Sequence, residues 1–545
     1  MNISLADLKQ IVGHVEGLRD ERLPVWMELS KYLLPSRGKF PGEEQNNLRN
    51  KKRFNNTGSR ALRRAAAGMT EGMTPASLPW FRHDFLDRGQ REVTGSREYA
   101  DAVDERLRAI LEAGGFYQAV HAFNQELLTF GCALLYQEES MATVARWECP
   151  TIGTWAVTCS RSGDLDCVVH RLTFTARELV DTFGENHVSE HVKSQLKLRP
   201  YEPVEVVHVV MRNTQADRRK MDSLSMPWAS LWYEDRESGE QFLRKSGYNE
   251  MPFFFTVWQE ARGLYGVGPG DEAISDQKAV EAYELYKSMG LEKTIDPPVL
   301  YPGSLKDRPD TRPGAKNSSP LGGQNQILPL YQINFGQALP YVQQEIQNIA
   351  QRMDDSLMAS VFTSIAMDQR PPNMTATEYM SRRRESMQQM GPALSAYEPK
   401  VLNKVLERTF AMADRLGLMP DPPQDLGDRF IIDVQYLGPM SQALRQTGSD
   451  TTRQLLEDVA GIAQLNPEVL DKIDLDQAVD ELARGIAAPG SVVRSDDDVA
   501  AIRQARAEQQ AAQQQAMLDL EAQKNQIAAM NVRTEGTVAG KMMGE

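Results

Sequence analysis

Apolar residues recur at helical spacing over residues 2–35. Leu5, Leu8, Ile11, Val12, Val15, Leu18 and Leu23 follow one face, and Leu33-Leu34-Pro35 closes the run, so a single helix is predicted there. Helical patterns return at 59–73 and 96–131. From about Ala133 to Pro150 and from Thr154 to Thr175 the period shortens to two and β-branched residues gather, which predicts strands. Pro203–Met211 and Ala229–Tyr233 read the same way, and a helix from Ala176 to about Leu198 interrupts them. Trp147, Trp155, Trp228, Trp232 and Trp258 fall in this β-rich region and are expected in the core. The fold class is therefore α+β, mainly helical.

The pattern changes at Asp271. A helical run over Asp271–Lys293 stops at Asp296-Pro297-Pro298. The insert Pro297–Gln337 is rich in Pro and Gly, and its Val299-Leu300-Tyr301 and Gln326-Ile327-Leu328 are able to pair as a short sheet. A second helix is predicted from Leu339 to about Val361. Its Val342, Ile346, Ile349, Met353 and Leu357 form one apolar stripe, and Gln343, Gln344, Gln347, Gln351, Asp354 and Asp355 occupy the opposite face. Each arm spans roughly 30 Å. A stripe this narrow buries one face only; it is expected to meet a partner while the polar face meets water or a lumen. Phe362–Met374 reads as a loop, because Pro371-Pro372 cannot continue a helix.

Thr375 then caps a long helix, with Glu378 at capping-box spacing, that runs to about Leu416 and bends at Gly391-Pro392 and near Pro399. A strand over Arg429–Tyr436 leads to Gly438-Pro439. Helices are expected over 440–487, a Gln/Ala-rich helix over Ala500–Ile527, and disorder from about Asn531.

At 545 residues, 41% hydrophobic and 25% charged, the chain has the composition of an ordinary globular protein. It is long enough for roughly two to four packed regions. No apolar run approaches the roughly 20 residues that cross a bilayer, and no basic segment followed by an apolar one opens the chain, so synthesis in the cytosol without a membrane anchor is expected. The net charge of −14 argues against tight retention of nucleic acid. One stretch opposes that trend: Ser36–Arg64 holds nine basic and two acidic residues, densest at Arg49, Lys51, Lys52 and Arg53. It reads either as a solvated loop or as a contact with nucleic acid or an acidic surface. Lys306, Arg308, Arg312 and Lys316 stand out in the insert in the same way. The four cysteines, spaced by 17, 10 and 8 residues, lack any C-x-x-C pair and are expected as reduced, mostly buried thiols.

Two motifs suggest chemistry. His187-Val188-Ser189-Glu190-His191 matches H-x-x-E-H, in which two imidazoles one helical turn apart can share a zinc ion. No third carboxylate ligand is evident, and a solvated helix face is the plainer reading. Gly266-Val267-Gly268-Pro269-Gly270 has the glycines of a phosphate cradle but neither the G-x-G-x-x-G nor the Gly-Lys-Ser/Thr pattern, and Pro269 removes an amide. It reads as a turn launching the helix at Asp271. No G-x-S-x-G elbow is present, so no catalytic residue, metal or cofactor is assigned, and the chain is not expected to be an enzyme. Two other readings stay open: a zinc-dependent hydrolase using His187, Glu190 and His191, and a scaffold or adaptor that binds other proteins through Met-rich helices.

Six segments together resemble the head-to-tail connector, or portal, proteins of short-tailed (podovirus-type) bacteriophages. They are Arg22 through Gly38, Gly68-Met69 to Trp80-Phe81, Tyr265–Gly270 with Asp296-Pro297-Pro298, Thr375-Ala376-Thr377-Glu378 with Arg383 and Glu385, Gly391-Pro392, and Tyr436–Met440 with Gln442-Ala443. Gly438 and Met440 depart from the residues more usual at those places. The resemblance implies a portal-type subunit with a wing (1–270 and 375–438), stem helices (271–295 and 339–361), a clip (296–338), a channel loop (362–374) and a helical C-terminal crown (439–545) with a disordered tail. It implies a homo-oligomeric ring of about twelve copies at one capsid vertex. Double-stranded DNA would be packaged and ejected through it, with terminase and then tail adaptor proteins on the clip, and with major capsid and scaffolding proteins as further partners in the virion. On that reading Gln369 and Arg370 at the loop tip, with Gln343, Gln347 and Gln351, would face DNA. Lys306, Arg308, Arg312 and Lys316 would serve docking.

Overall fold

The computed structural model describes residues 3–41, 53–85, 95–217, 222–236, 241–295, 335–362, 394–423 and 432–441, the strand residues 299–300 and 328–329, isolated positions between these, and parts of 456–524. Two compact units divide the chain. The first is Met1–Leu86, Glu98–Gln424 and Ile431–Thr447; the second is Asp87–Arg97, Asp425–Phe430 and Gly448–Glu545. In the second unit, residues 501–518 form an exposed helical stretch, and Arg503 pairs with Asp476 at 2.7 Å. All the described strands lie in the first unit.

The helix predicted over 2–35 is two helices, α1 (Leu5–Asp20) and α2 (Leu23–Tyr32). Pro24 has no N–H to donate to the carbonyl of Asp20 four residues back and its ring clashes there, so α1 ends at Asp20 and Pro24 falls in the first turn of a new helix. Next come α3 (Thr57–Met73), β1 (Phe81–Phe85), α4 (Ser96–Ala113) and α5 (Phe116–Phe130). The single helix expected over 96–131 breaks at Gly114-Gly115, where Gly115 takes a left-handed φ of 78°.

Five antiparallel strands form the larger sheet: β4 (Trp155–Cys159), β5 (Leu165–Thr175), β6 (Pro203–Arg212), β7 (Trp228–Glu234) and β8 (Phe242–Tyr248), paired in that order. β2 (Cys132–Ser140) is the centre of a second sheet, between β3 (Val144–Glu148) and β9 (Phe253–Val257). β1, β8 and β9 were not expected from the periodicity. The Phe253-Phe254-Phe255 run of β9 is buried on both faces, so it never alternates.

The two faces of the five-stranded sheet hold different cores. Leu8, Val12 and Val15 of α1 pack on Ala156, Cys167, Val169, Val207, Val209, Leu231 and Tyr233. On the other face α6 (Ala176–Phe183) and α7 (Glu190–Leu198) bring Leu179, Phe183 and Val192 against Val204, Val206 and Leu243. The sequence pattern ran these two helices together, but they part at Gly184. Trp147 and Trp155 are core as expected, whereas Trp228, Trp232 and Trp258 are half-buried. Cys132, Cys149 and Cys167 are buried free thiols, and Cys159 is half-buried. No helix among the described residues is long and apolar enough to cross a membrane.

The later part of the unit is helical. α8 (Pro269–Ile295) and α9 (Phe335–Ser356) lie antiparallel, with the two-residue strands β10 (Val299–Leu300) and β11 (Leu328–Pro329) paired between them in sequence. α9 begins before the expected Leu339 and ends at Ser356; Met358 then has φ 54°, so the helix expected to continue to Val361 is broken. Around Pro399 the backbone forms a π-helical turn (Glu398–Leu402) that runs straight into α10 (Asn403–Arg415). A missing proline amide is a common cause of such a widened turn. β12 (Ile432–Tyr436) pairs antiparallel with β1, which joins chain segments about 350 residues apart.

Candidate functional site

The α8–α9 pair is embedded at one end only. Every buried residue of α8 lies in its first half: Pro269, Gly270, Ala273, Gln277, Val280 and Glu281. Beyond them Tyr286, Met289, Leu291 and Ile295 are exposed, with Ile295 at 73%. By rise per residue α8 is about 40 Å long and α9 about 33 Å, so the pair projects well beyond its base.

What seats the base is a set of close contacts. Gly268 lies against Gly131: a Cβ on Gly268 would stand 2.7 Å from the Cα of Gly131, and one on Gly131, which has φ 78°, 2.5 Å from the carbonyl carbon of Val267. The glycine motif is therefore a packing turn, because two backbones meet where no side chain fits. Asp271 completes it. One oxygen accepts from the Gly268 amide at 2.9 Å, and Arg22 donates to the same carboxylate at 3.1 Å and to the Gly266 carbonyl at 3.3 Å. Tyr265 packs edge-on against Trp26, with ring centroids 5.2 Å apart, and its hydroxyl accepts from the Val157 amide at 3.0 Å. Segments that resembled one family when read in order thus converge in space. Trp80 and Phe81 lead into the β1–β12 pair, where Trp80 stacks on Tyr436, and Gly438 lies against the carbonyls of Gly72 and Met73.

The apolar stripe of α9 does not face outward. Ile349 and Met353 pack on Val280 of α8 in the same chain, with Ile346, Ala279 and Tyr283 at the edges. The partner that the stripe was expected to meet is the first arm itself, because antiparallel helices adjacent in the chain bury their stripes on each other first. Ion pairs finish the seam: Arg352 with Asp276 at 3.1 Å, and Arg64 of α3 with Asp354 at 2.6 Å. Gln343, Gln347 and Gln351 are brought onto one exposed line of α9, four residues apart. Tyr341 is 75% exposed towards the projecting end of the same helix.

Gln369, Arg370, Lys306, Arg308, Arg312, Lys316, Arg49, Lys51 and Lys52 lie outside the described residues, as do Thr375, Glu378, Arg383 and Glu385. Arg53 is described. It sits beside α8, where Glu281 and Gln277 hold the backbone of residues 54–58, a relationship with no local sequence signal.

The H-x-x-E-H motif does not assemble. α7 begins at Glu190 with Ser189 as its N-cap, so His187 lies outside the helix and shares no helical face with His191. His187 Nδ1 contacts the Phe183 carbonyl at 3.0 Å, and Glu190 pairs with Lys193 at 2.7 Å. Among the described residues no group of three His, Cys, Asp or Glu is placed to hold a metal ion. The fully buried carboxylate of Glu126 is structural. Burial pushes its pKa up against the pull of Arg37, and it accepts from Arg37 at 2.6 Å and from the Ile152 amide at 3.1 Å.

The geometry is that of a scaffold carrying a projecting helical hairpin. The family described as bacteriophage head to tail connecting protein matches residues 5–493, and the chain belongs to it. It is 29% identical over 517 residues to the probable portal protein of Bordetella phage BPP-1, covering 93% of this chain and 92% of that one. Over 537 residues it is 28% identical to the portal protein of Salmonella phage epsilon15, covering 96% and 95%. A solved structure titled "Neck of empty GTA particle computed with C6 symmetry" overlaps 75% of this chain and 90% of its own at 12% identity. The TM-score of that overlap is 0.31.

Proposed function

We propose that this connecting protein is a portal subunit: copies of it form a ring at one capsid vertex through which double-stranded DNA is packaged and later ejected. The observation that carries the reading is the projecting α8–α9 hairpin with its exposed glutamine line, in a chain whose full-length relatives are named portal proteins. In the ring, α8 and α9 serve as stem helices and Gln343, Gln347 and Gln351 face the lumen. Uncharged amides there hold phosphates weakly, since each cationic contact strengthens salt-dependent binding. Gln369 and Arg370 extend that lining from a channel loop over 362–374. The insert 296–338 acts as a clip whose Lys306, Arg308, Arg312 and Lys316 dock terminase and then tail proteins. Residues 439–545 form a crown, and the rest of the chain is the wing that meets capsid and scaffolding proteins. The work is structural: it needs no catalytic group, metal or cofactor, and it places the protein in the virion after synthesis in the host cytoplasm.

Electron microscopy of the purified full-length chain tests this. Rings with a central hole are expected, in a number of copies set by closed cyclic symmetry. A strict monomer at high concentration sinks the reading. Rings whose 297–337 deletion variant still packages DNA would favour a non-channel adaptor instead.

A further inference from the structure

The first turns of α3 and the strand of chain before it form a cationic, partly apolar face. Phe54 is 53% exposed and Arg60 and Arg63 are exposed; Phe54 and Arg63, with Arg53, Leu33 and Leu34, line a recess of about 630 Å³. Among the described residues none of the three arginines pairs with a carboxylate. Arg63 donates to the Ser59 carbonyl at 3.3 Å, and Arg53 Nη2 donates to Ser59 Oγ at 3.0 Å while its Nη1 is buried with no acceptor among those residues. Burial lowers the pKa of the Arg53 guanidinium, against the pull of Glu281.

This face is held from behind. Glu281, buried on α8, accepts from the Phe54 amide at 2.6 Å and the Asn55 amide at 3.3 Å. Gln277, fully buried one turn earlier, accepts from the Gly58 amide at 2.9 Å and donates to the Asn55 carbonyl at 3.3 Å. A face fixed in this way loses little conformational freedom when a partner docks.

Charge indicates what docks. Residues 36–64 hold nine basic and two acidic side chains, a surplus of seven, in a chain of net charge −14, so the remaining residues sum to −21. Another copy of the same chain therefore carries a net excess of carboxylates outside this stretch. An exposed phenylalanine beside a leucine-lined recess matches a protein surface with mixed apolar and acidic side chains. It has no counterpart in a phosphate backbone.

We propose that the face formed by Phe54, Arg60 and Arg63 docks an acidic surface of a second copy of this chain, joining neighbouring subunits head to tail. The proposal deepens the ring reading above and rests on it. The test uses the full-length protein, the double variant Arg60→Glu/Arg63→Glu and the charge-neutral variant Phe54→Ser. Assembly is followed by mass photometry across protein and salt concentration, folding by circular dichroism, and binding of a short labelled DNA duplex by fluorescence polarisation. Wild type is expected to form rings that weaken with salt, and the double variant to need about tenfold more protein to assemble while remaining folded. Phe54→Ser is expected to weaken assembly without changing its salt dependence. Rings from the double variant at the wild-type concentration overturn the proposal. So does loss of duplex binding with assembly unchanged, which assigns the face to DNA. Failure of wild type itself to form rings overturns the portal reading instead.

Discussion

His170 and His208 lie directly opposite each other across the β5–β6 ladder, both buried. Trp155 pairs with His170 on one side and Trp232 with His208 on the other, so a Trp-His-His-Trp row crosses four strands. His208 stacks on Trp232 at 3.8 Å between centroids, its Nε2 contacts Ser230 Oγ at 3.0 Å, and its Nδ1 has no partner among the described residues. Tyr136 of β2, Phe253 of β9 and Tyr248 of β8 cover the row, and the buried Arg408 of α10 packs against Tyr248.

Burial holds both imidazoles neutral: it pushes His170 down to about 4 and His208 well below its usual value, the latter helped by His170. The unfolded chain protonates near 6.5. As pH falls from about 6.5 towards 4, the unfolded state therefore gains protons that the native state refuses, and stability is lost across that window. For His170 the full loss is on the order of 3 kcal/mol. Thermal midpoints measured from pH 7.5 to 4.5 should fall more steeply for wild type than for His170→Phe. Parallel curves would rule the histidine out as a source.

The backbone contact at Gly131 and Gly268 makes a contrasting prediction about glycine. Gly268→Ala pushes a methyl into the Gly131 backbone and should cost about 1–3 kcal/mol. Gly17 of α1 is exposed, with nothing near its Cβ position, and Gly17→Ala should stabilise by about 1 kcal/mol. Urea unfolding of the two variants should shift the midpoint in opposite directions.

Met353 is fully buried between the arms. Met353→Ala should cost about 2–5 kcal/mol. Because the lost contact is with Val280 of the same chain, the destabilisation should be present in isolated subunits and independent of protein concentration. A loss seen only in assembled rings would assign the stripe to a neighbouring subunit.

Zinc gives a simpler check. With His187 outside α7, stoichiometric zinc or a chelator should leave the thermal midpoint of the purified protein unchanged. A rise of several degrees with zinc that disappears in His191→Ala would restore the metal reading.

The strongly periodic elements were legible in the sequence: α3, the strands β4–β7, both arms, and the glycine turn before α8. Boundaries failed where one residue breaks a helix without disturbing its apolar period, as at Pro24 and Gly115. β9 was missed because a strand buried on both faces has no alternation to read. Of the candidate site, the exposed line of Gln343, Gln347 and Gln351 followed from a spacing of four.

By itself, the sequence determined most of the helical stretches, the strongly alternating strands and which face of each is apolar, because those depend on neighbours within a turn or two. It also carried the order of motifs that marks the family. The tertiary structure alone decided what each apolar face meets: the stripe of α9 turned inward onto α8, β1 found β12 across most of the chain, and Glu281 came to hold the loop that presents Phe54. Those pairings depend on which surfaces come within reach once the backbone closes on itself, and no local pattern along the chain encodes that distance.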